Sequence, residues 1–230
     1  MIYYNQRNYG NISYPAPGYE SATVKTSGCG PVCMSMVIEN LGAGSFPPEK
    51  SVALALSSGA RVSGGTDMEK LAKAVCEKFA VKYSVTTSID TVLSKMRYSG
   101  AIVICNVKGD VGSYKGLFSD SGHYVVAAEL GEVYVTVLDP YLYAGKFDTA
   151  ARRGRAVVNG NLVYCTPANL AQDTKKYYIF ERVKKTMTVN EAIKALQEKG
   201  VIQSPAYWQN AVQVVKYLDE LLINMAGALR

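Results

Sequence analysis

A single histidine, His123, is all the imidazole this 230-residue chain possesses. That scarcity excludes histidine-rich zinc sites, and it puts any imidazole acid–base chemistry near neutral pH on one residue. Tryptophan is equally scarce, at one residue, while tyrosine supplies 17 of the aromatics and suits half-exposed strand surfaces. No run approaches the ~20 consecutive apolar residues of a membrane span, so none is expected. The opening MIYYNQRNYG lacks the apolar core of a secretory signal, which makes synthesis in a cytoplasm the expectation.

Cysteines number five, at positions 29, 33, 76, 105 and 165, whereas a secreted disulfide framework is usually even and denser. Cys29 and Cys33 have the look of a metal half-site, but no second pair follows, so neither a metal nor any other cofactor is expected. Cys33, Cys76 and Cys105 sit within apolar runs and read as small buried hydrophobes.

The net charge of +6 is concentrated in one segment. Between Ala151 and Lys185 lie Arg152, Arg153, Arg155, Lys175, Lys176, Arg182, Lys184 and Lys185, opposed by Asp173 and Glu181, so that the rest of the chain is neutral. Such a stretch forms either a solvated face or a surface for an anionic polymer. Nucleic acid is not the expected partner, because the chain has no zinc spacing, helix-turn-helix pattern or basic strand interleaved with aromatics.

Apolar periodicity divides the chain. Helices are expected at Gly30–Leu41, from Pro48 to about Leu56, from Thr66 (opening a capping box with Glu69) to Phe79, and over Ile89–Tyr98, with a short strand at Val81–Thr86. The second half turns to β-rich runs at Ala101–Val107, Tyr124–Leu130, Val133–Leu138 and Tyr177–Val183, with an Asn159-Gly160 hairpin signal. Helices first and strands second predict an α+β fold with an antiparallel sheet. Past a boundary near 186, Thr188 and Glu191 form another capping box, Gly200 stops the helix it opens, and Ser204-Pro205 starts a long helix. The expected organisation is a domain over 1–186 and an αα-hairpin over 187–230. In that tail Ala211, Val215, Leu218, Leu222, Met225 and Leu229 form a coiled-coil-like seam suited to homodimerisation or docking.

The chemistry gathers around Cys29, in the run Thr26-Ser27-Gly28-Cys29-Gly30-Pro31 at a helix start. A free thiol of pKa about 8.5 is mostly protonated at neutral pH. A helix N-terminus lowers that by about 1.5 units at best, so a strongly activated thiolate needs an imidazolium, which here means His123. A short β-hairpin centred on Gly131 would oppose residues whose numbers sum to 262, as those of His123 and Asp139 do. Opposed residues lie about 4.5–5.5 Å apart on one face, within reach for Asp139 to orient the imidazole and stabilise its charged form.

The segments Ser27-Gly28-Cys29-Gly30-Pro31 with Met34 and Met36, Gly122-His123-Tyr124, and Leu138-Asp139-Pro140 resemble the papain-like bacteriocin-processing peptidases. The stand-alone relatives are the closer match, and the resemblance spans about residues 1–185. It implies a papain-like fold, with a helical half bearing Cys29 packed on an antiparallel sheet bearing His123 and Asp139. Such enzymes hold the oxyanion with a glutamine and the cysteine's own N–H. Papain's close spacing is not met, since Thr23 stands six residues before Cys29, but Tyr4-Asn5-Gln6 matches the Tyr-x-Gln segment of the stand-alone relatives and makes Gln6 the oxyanion candidate.

The tail, in Lys199-Gly200-Val201-Ile202 and Ser204-Pro205-x-Tyr207-Trp208, resembles helical modules of clostridial phage lysins. That resemblance implies peptidoglycan peptides as substrate and action at the bacterial cell wall after release. A leader peptidase or acyltransferase of the same clan is the alternative within this chemistry. A non-catalytic phage structural protein with a vestigial site is the alternative outside it, opposed by the intact Cys, His and Asp.

Overall fold

The first helix of any length is also the least amphipathic: in Cys29–Asn40, every residue from Gly30 to Ile38 is buried. A helix apolar all round belongs inside a domain, and here it packs between other helices and a sheet. The computed structural model describes residues 1–183 and 188–228. The chain falls into two compact units, Met1–Val183 and Lys184–Arg230. The expected boundary near 186 lies outside the described residues, as do Lys184, Lys185 and Leu229.

In the first unit a one-turn helix, Gln6–Asn8, precedes α1 (Val24–Ser27) and α2 (Cys29–Asn40). There follow α3 (Pro48–Ser57), the small hairpin β1 (Arg61–Val62) and β2 (Gly65–Thr66), α4 (Met68–Lys78), β3 (Val81–Thr86), α5 (Ile89–Ser99) and β4 (Ile102–Val107). The remainder is β5 (His123–Leu130), β6 (Val135–Leu138), β7 (Ala156–Asn159), β8 (Leu162–Cys165), α6 (Pro167–Asp173) and β9 (Thr174–Arg182). Seven of these strands form one antiparallel sheet in the order β3-β9-β4-β5-β6-β8-β7, which makes the unit an α+β fold.

Successive strand side chains point to opposite faces, so β4 feeds two cores. Ile102 and Ile104 join Val32, Met36, Leu71 and Val75 from α2 and α4 on one face. Val103, Cys105 and Val107 join Val92, Phe118 and Leu170 on the other. Each such aliphatic side chain, once buried, contributes about 1.5–3 kcal/mol. Burial on both faces explains why β4 reads as a continuous apolar run.

Three expectations need correction. The helix cap lies one residue later than Thr66: Asp67 accepts from the Lys70 N–H at 3.1 Å, while the Thr66 hydroxyl sits 2.9 Å from that of Tyr14. Cys76 is half-buried, whereas Cys33, Cys105 and Cys165 are buried. The β5–β6 turn is longer than a loop centred on Gly131, because the exposed Val133 and Tyr134 belong to the turn and the Gly131 N–H donates to the Tyr134 carbonyl at 2.9 Å.

The β5–β6 register therefore runs Leu130 to Val135 near the turn and Val126 to Leu138 past a bulge at Ala128. His123 pairs with Val107 of β4 rather than with Asp139. The final offset from the expected register is an even number of residues, which preserves the side-chain alternation. Asp139, just beyond β6, consequently stays on the side of the sheet that His123 faces.

Three of the described basic residues are engaged within the fold. Arg152 is buried, Arg155 donates to the Tyr114 hydroxyl at 2.8 Å, and Lys176 pairs with Glu69 at 3.1 Å.

In the second unit, α7 (Val189–Glu198) starts at the Thr188–Glu191 capping box. The long helix expected after Ser204 is broken into α8 (Pro205–Ala211) and α9 (Leu218–Ala228), with Tyr217 at φ 65° before the second. An unbroken helix over 205–228 would run about 36 Å past an α7 of about 15 Å, leaving much apolar surface uncovered. The break lets Leu222 and Ala226 pack with Ala192, Ile193 and Leu196. The expected seam is therefore not one helical face: Val215 is half exposed between helices, and Leu222 is spent inside the unit.

Candidate active site

Two glycines set Cys29 where it is. A Cβ on Gly28 would lie 2.6 Å from the Val24 carbonyl oxygen, and one on Gly30 would lie 2.6 Å from the Thr66 side chain. Neither approach is tolerable for a larger residue, so the glycines let the start of α2 sit tight between α1 and the β1–β2 hairpin. Cys29 is the first residue of α2, half-buried, with its backbone N–H among the first-turn donors that have no intrahelical partner.

His123 opens β5 and is buried. Its Nε2 lies 2.9 Å from Asp139 Oδ1, and its ring and the Cys29 thiol are close enough to shift each other's ionisation. With Nε2 committed to a carboxylate that can only accept, Nδ1 is the nitrogen left for the thiol. Asp139 is fully buried at the end of β6. Its Oδ1 also accepts from the Tyr141 N–H at 2.9 Å, and its Oδ2 accepts from Lys146 Nζ at 2.5 Å.

The electrostatics follow from these contacts. Burial pushes the Cys29 thiol up, but the hydrogen bond and charge of His123, with help from the Tyr124 and Gly30 backbone, bring it below its ordinary value. Burial pulls the His123 imidazolium down, yet Asp139 and Cys29 raise it to about 9. Burial pushes the Asp139 carboxyl up, and Lys146 and His123 lower it to about 2. Together these contacts favour the thiolate–imidazolium form of the Cys29–His123 pair beside an ionised Asp139. By contrast, burial pushes the neighbouring Cys33 thiol well up, and it donates to the Tyr124 carbonyl at 3.3 Å.

Gln6 is buried in the N-terminal segment, far from the others in sequence. Its backbone N–H donates to the Pro140 carbonyl at 2.7 Å and its Nε2 to the Lys25 carbonyl at 3.0 Å, which ties the strands of chain around Asp139 and Cys29 together. A primary amide carries two N–H donors, so one remains for the cleft. Its Oε1 is buried with no hydrogen-bond partner among the described residues, which costs about 1–3 kcal/mol and is tolerated more readily at a functional site than elsewhere.

Gln6, Cys29 and His123 share one cleft of about 570 Å³. Its walls include Ser63, Gly64 and Gly65 of the β1–β2 hairpin, Ser119, Ser121 and Gly122 before β5, and the tyrosines Tyr19 and Tyr141. Lys25 and Lys146 border it, and among the described residues no carboxylate does. Among the described residues no cluster of His, Cys, Asp and Glu could hold a metal ion, and no helix is long and apolar enough to cross a membrane. The four residues expected from sequence, Cys29, His123, Asp139 and Gln6, thus meet at one place. Lys146 was not foreseen: it lies in an irregular stretch after β6, where spacing from Asp139 carries no periodic signal.

Gln6→Ala is expected to lower kcat by about 10²–10³-fold with little change in KM, the usual result of deleting one oxyanion donor. Steady-state kinetics on a cleavable peptide would read it, and an unchanged kcat would remove Gln6 from that role.

No protein-family model matches the chain, and no curated protein does. Among solved structures, the peptidase domain of Streptococcus ComA, a bi-functional ABC transporter involved in quorum sensing, is similar at 11% identity and a TM-score of 0.45, over 67% of this chain and 90% of that one. A double glycine motif protease from an AMS/PCAT transporter, solved in complex with its leader peptide, is similar at 14% identity and a TM-score of 0.40, over 67% of this chain and 84% of that one. At these scores the likeness adds nothing to what Cys29, His123 and Asp139 display by themselves.

Proposed function

We propose that this chain is a papain-type cysteine hydrolase that cleaves amide bonds in peptidoglycan peptides. The observation that carries the reading is that Cys29 at a helix start shares one cleft with His123, whose Nε2 lies 2.9 Å from the Asp139 carboxylate. The Cys29 thiolate attacks the scissile carbonyl carbon, and the resulting oxyanion accepts hydrogen bonds from Gln6 Nε2 and the Cys29 N–H. The C–N bond then breaks, with the proton on His123 passing to the leaving amine. Water, deprotonated by His123, hydrolyses the remaining thioester and frees Cys29. Asp139 keeps the imidazole oriented throughout and stabilises its charged form whenever it carries the proton.

The substrate class rests on two features. Lys25 borders the cleft and, among the described residues, no carboxylate lines it, which suits peptides bearing free carboxylates, as wall stem peptides do. The tail's lysin-like segments point the same way, and the second unit, with its own small core, is suited to docking on wall or partner. Walls from several bacterial species, incubated with the full chain and analysed by mass spectrometry, should release peptides with new amine termini. If walls stay intact while an extended leader-type peptide is cut, the substrate is instead a leader peptide and the hydrolase chemistry stands.

A further inference from the structure

A lysine buried beside a catalytic carboxylate is costly unless it does something there. Lys146 is 3% exposed and donates to Asp139 Oδ2 at 2.5 Å and to the Tyr141 carbonyl at 3.1 Å. The other oxygen of the same carboxylate holds His123 Nε2 at 2.9 Å. A carboxylate gripped from both sides by cations is not a free negative charge. Its field at the imidazole is offset by an ammonium on its far side.

We propose that Lys146 is a positioning residue which, with Asp139, forms a single net-neutral orienting unit behind His123 and so sets the pH range over which the Cys29–His123 ion pair exists. This rests on the cysteine-hydrolase reading above. The titratable and charged groups facing the unit are Tyr3, whose hydroxyl donates to the Asp139 carbonyl at 2.9 Å; Cys29 and Cys33 on α2; His123 on β5; Tyr141 and Tyr143, whose rings lie 5.8 and 5.9 Å from Lys146 Nζ; and Arg152, which donates to the Lys146 carbonyl at 3.2 Å. Burial pulls the Lys146 ammonium down and Asp139 opposes that, so the two charges depend on each other. The side chain also borders the cleft, close enough for its charge to be felt at Cys29 as well as at His123.

The sign of the effect follows. Without the ammonium, Asp139 acts on the pair as a full negative charge, and the Cys29 thiolate also loses a nearby cation. Both changes raise the Cys29 and His123 pKa values. Merely structural support would lower stability without moving either.

The test measures the rate of Cys29 alkylation by iodoacetamide against pH in the full-length protein, with peptide mapping to separate the five cysteines, for wild type, Lys146→Met and Lys146→Arg. Lys146→Met should move the acid limb up by about one pH unit, the order expected when a charge within a few ångströms is removed. Lys146→Arg, which keeps the charge, should lie nearer to wild type. A Lys146→Met profile superposed on that of wild type would overturn the proposal.

Should Lys146→Met not fold, the pair of variants Asp139→Asn and Asp139→Asn/Lys146→Met decides. The same sign rule predicts that the acid limb of the double variant lies above that of Asp139→Asn alone, because the ammonium that favours the Cys29 thiolate has gone. A double variant whose profile superposes on that of Asp139→Asn would overturn it. Wild-type Cys29 that reacts no faster than the other cysteines would instead sink the hydrolase reading, whatever Lys146 does.

Discussion

Cys29→Ala should abolish hydrolysis while leaving the thermal midpoint within a few degrees of wild type. The thiol supplies nucleophilicity, and it is half-buried at a cleft rather than packed in either core. In wild type the same residue should outpace Cys33, Cys76, Cys105 and Cys165 in reaction with iodoacetamide at neutral pH. Burial pushes all four of those thiols up, and none has a cationic partner to oppose it, whereas Cys29 has His123. Thiolate fraction governs the rate.

The pH dependence has two sides. Hydrolysis should set in as the Cys29 thiol ionises, below its ordinary range, and decline as His123 loses its proton near 9, since a neutral imidazole has no proton for the leaving amine. Equal labelling of all five thiols, or residual hydrolysis by the alanine variant, would remove Cys29 from the mechanism.

Asp139→Ala should be the most damaging change to stability and turnover together. It deletes the acceptor of three hydrogen bonds, from His123, Tyr141 and Lys146. It also strands Lys146 as a buried, unpaired cation, a situation that costs about 3–5 kcal/mol. Turnover should fall by roughly 10²–10⁴-fold as the imidazole loses both its orientation and its countercharge. Asp139→Asn keeps the shape but not the charge, and should also lose most turnover.

The linked pH effect on stability has a definite sign. The carboxyl is held at about 2, so its contribution is present above its unfolded value of about 3.9 and is lost as pH falls through 2. His123 is raised to about 9, so its contribution is full below about 6.5 and is lost as pH rises through 9. Urea midpoints measured between pH 2 and 5 should therefore fall more steeply toward acid in wild type than in Asp139→Ala, whereas above pH 6 the decline from His123 is opposed by Cys29, whose lowered thiol adds stability as pH rises. Near-normal turnover in both variants would take Asp139 out of the mechanism.

Local chemistry made much of this protein legible in advance. The strand Val81–Thr86 and the helix over Ile89–Ser99 follow from alternation, from Ser88 as a cap and from Gly100 in a left-handed conformation. Cys29 could be singled out because Gly28, Gly30 and Pro31 are interactions of a residue with its immediate neighbours. Where the decisive neighbour is distant, sequence spacing misleads. The approach of His123 to Asp139 was expected from a turn centred on Gly131, but the turn is longer and a bulge at Ala128 offsets the register. The contact survives because the net slip preserves side-chain alternation, which is a property of the sheet rather than of the turn. In the tail, a regular apolar spacing suggested one long helix, but the limited length of α7 decides where the apolar residues can be buried, so the helix breaks.

What the sequence determined by itself was most of the longer elements of the first unit and the identity of the candidate nucleophile and the lone imidazole, because capping, alternation and residue scarcity are local facts. Only the tertiary structure could bring Gln6 against the Lys25 and Pro140 carbonyls and Lys146 against Asp139. Those contacts join loops with no periodicity, and a buried charge finds its partner through the space the whole fold leaves for it.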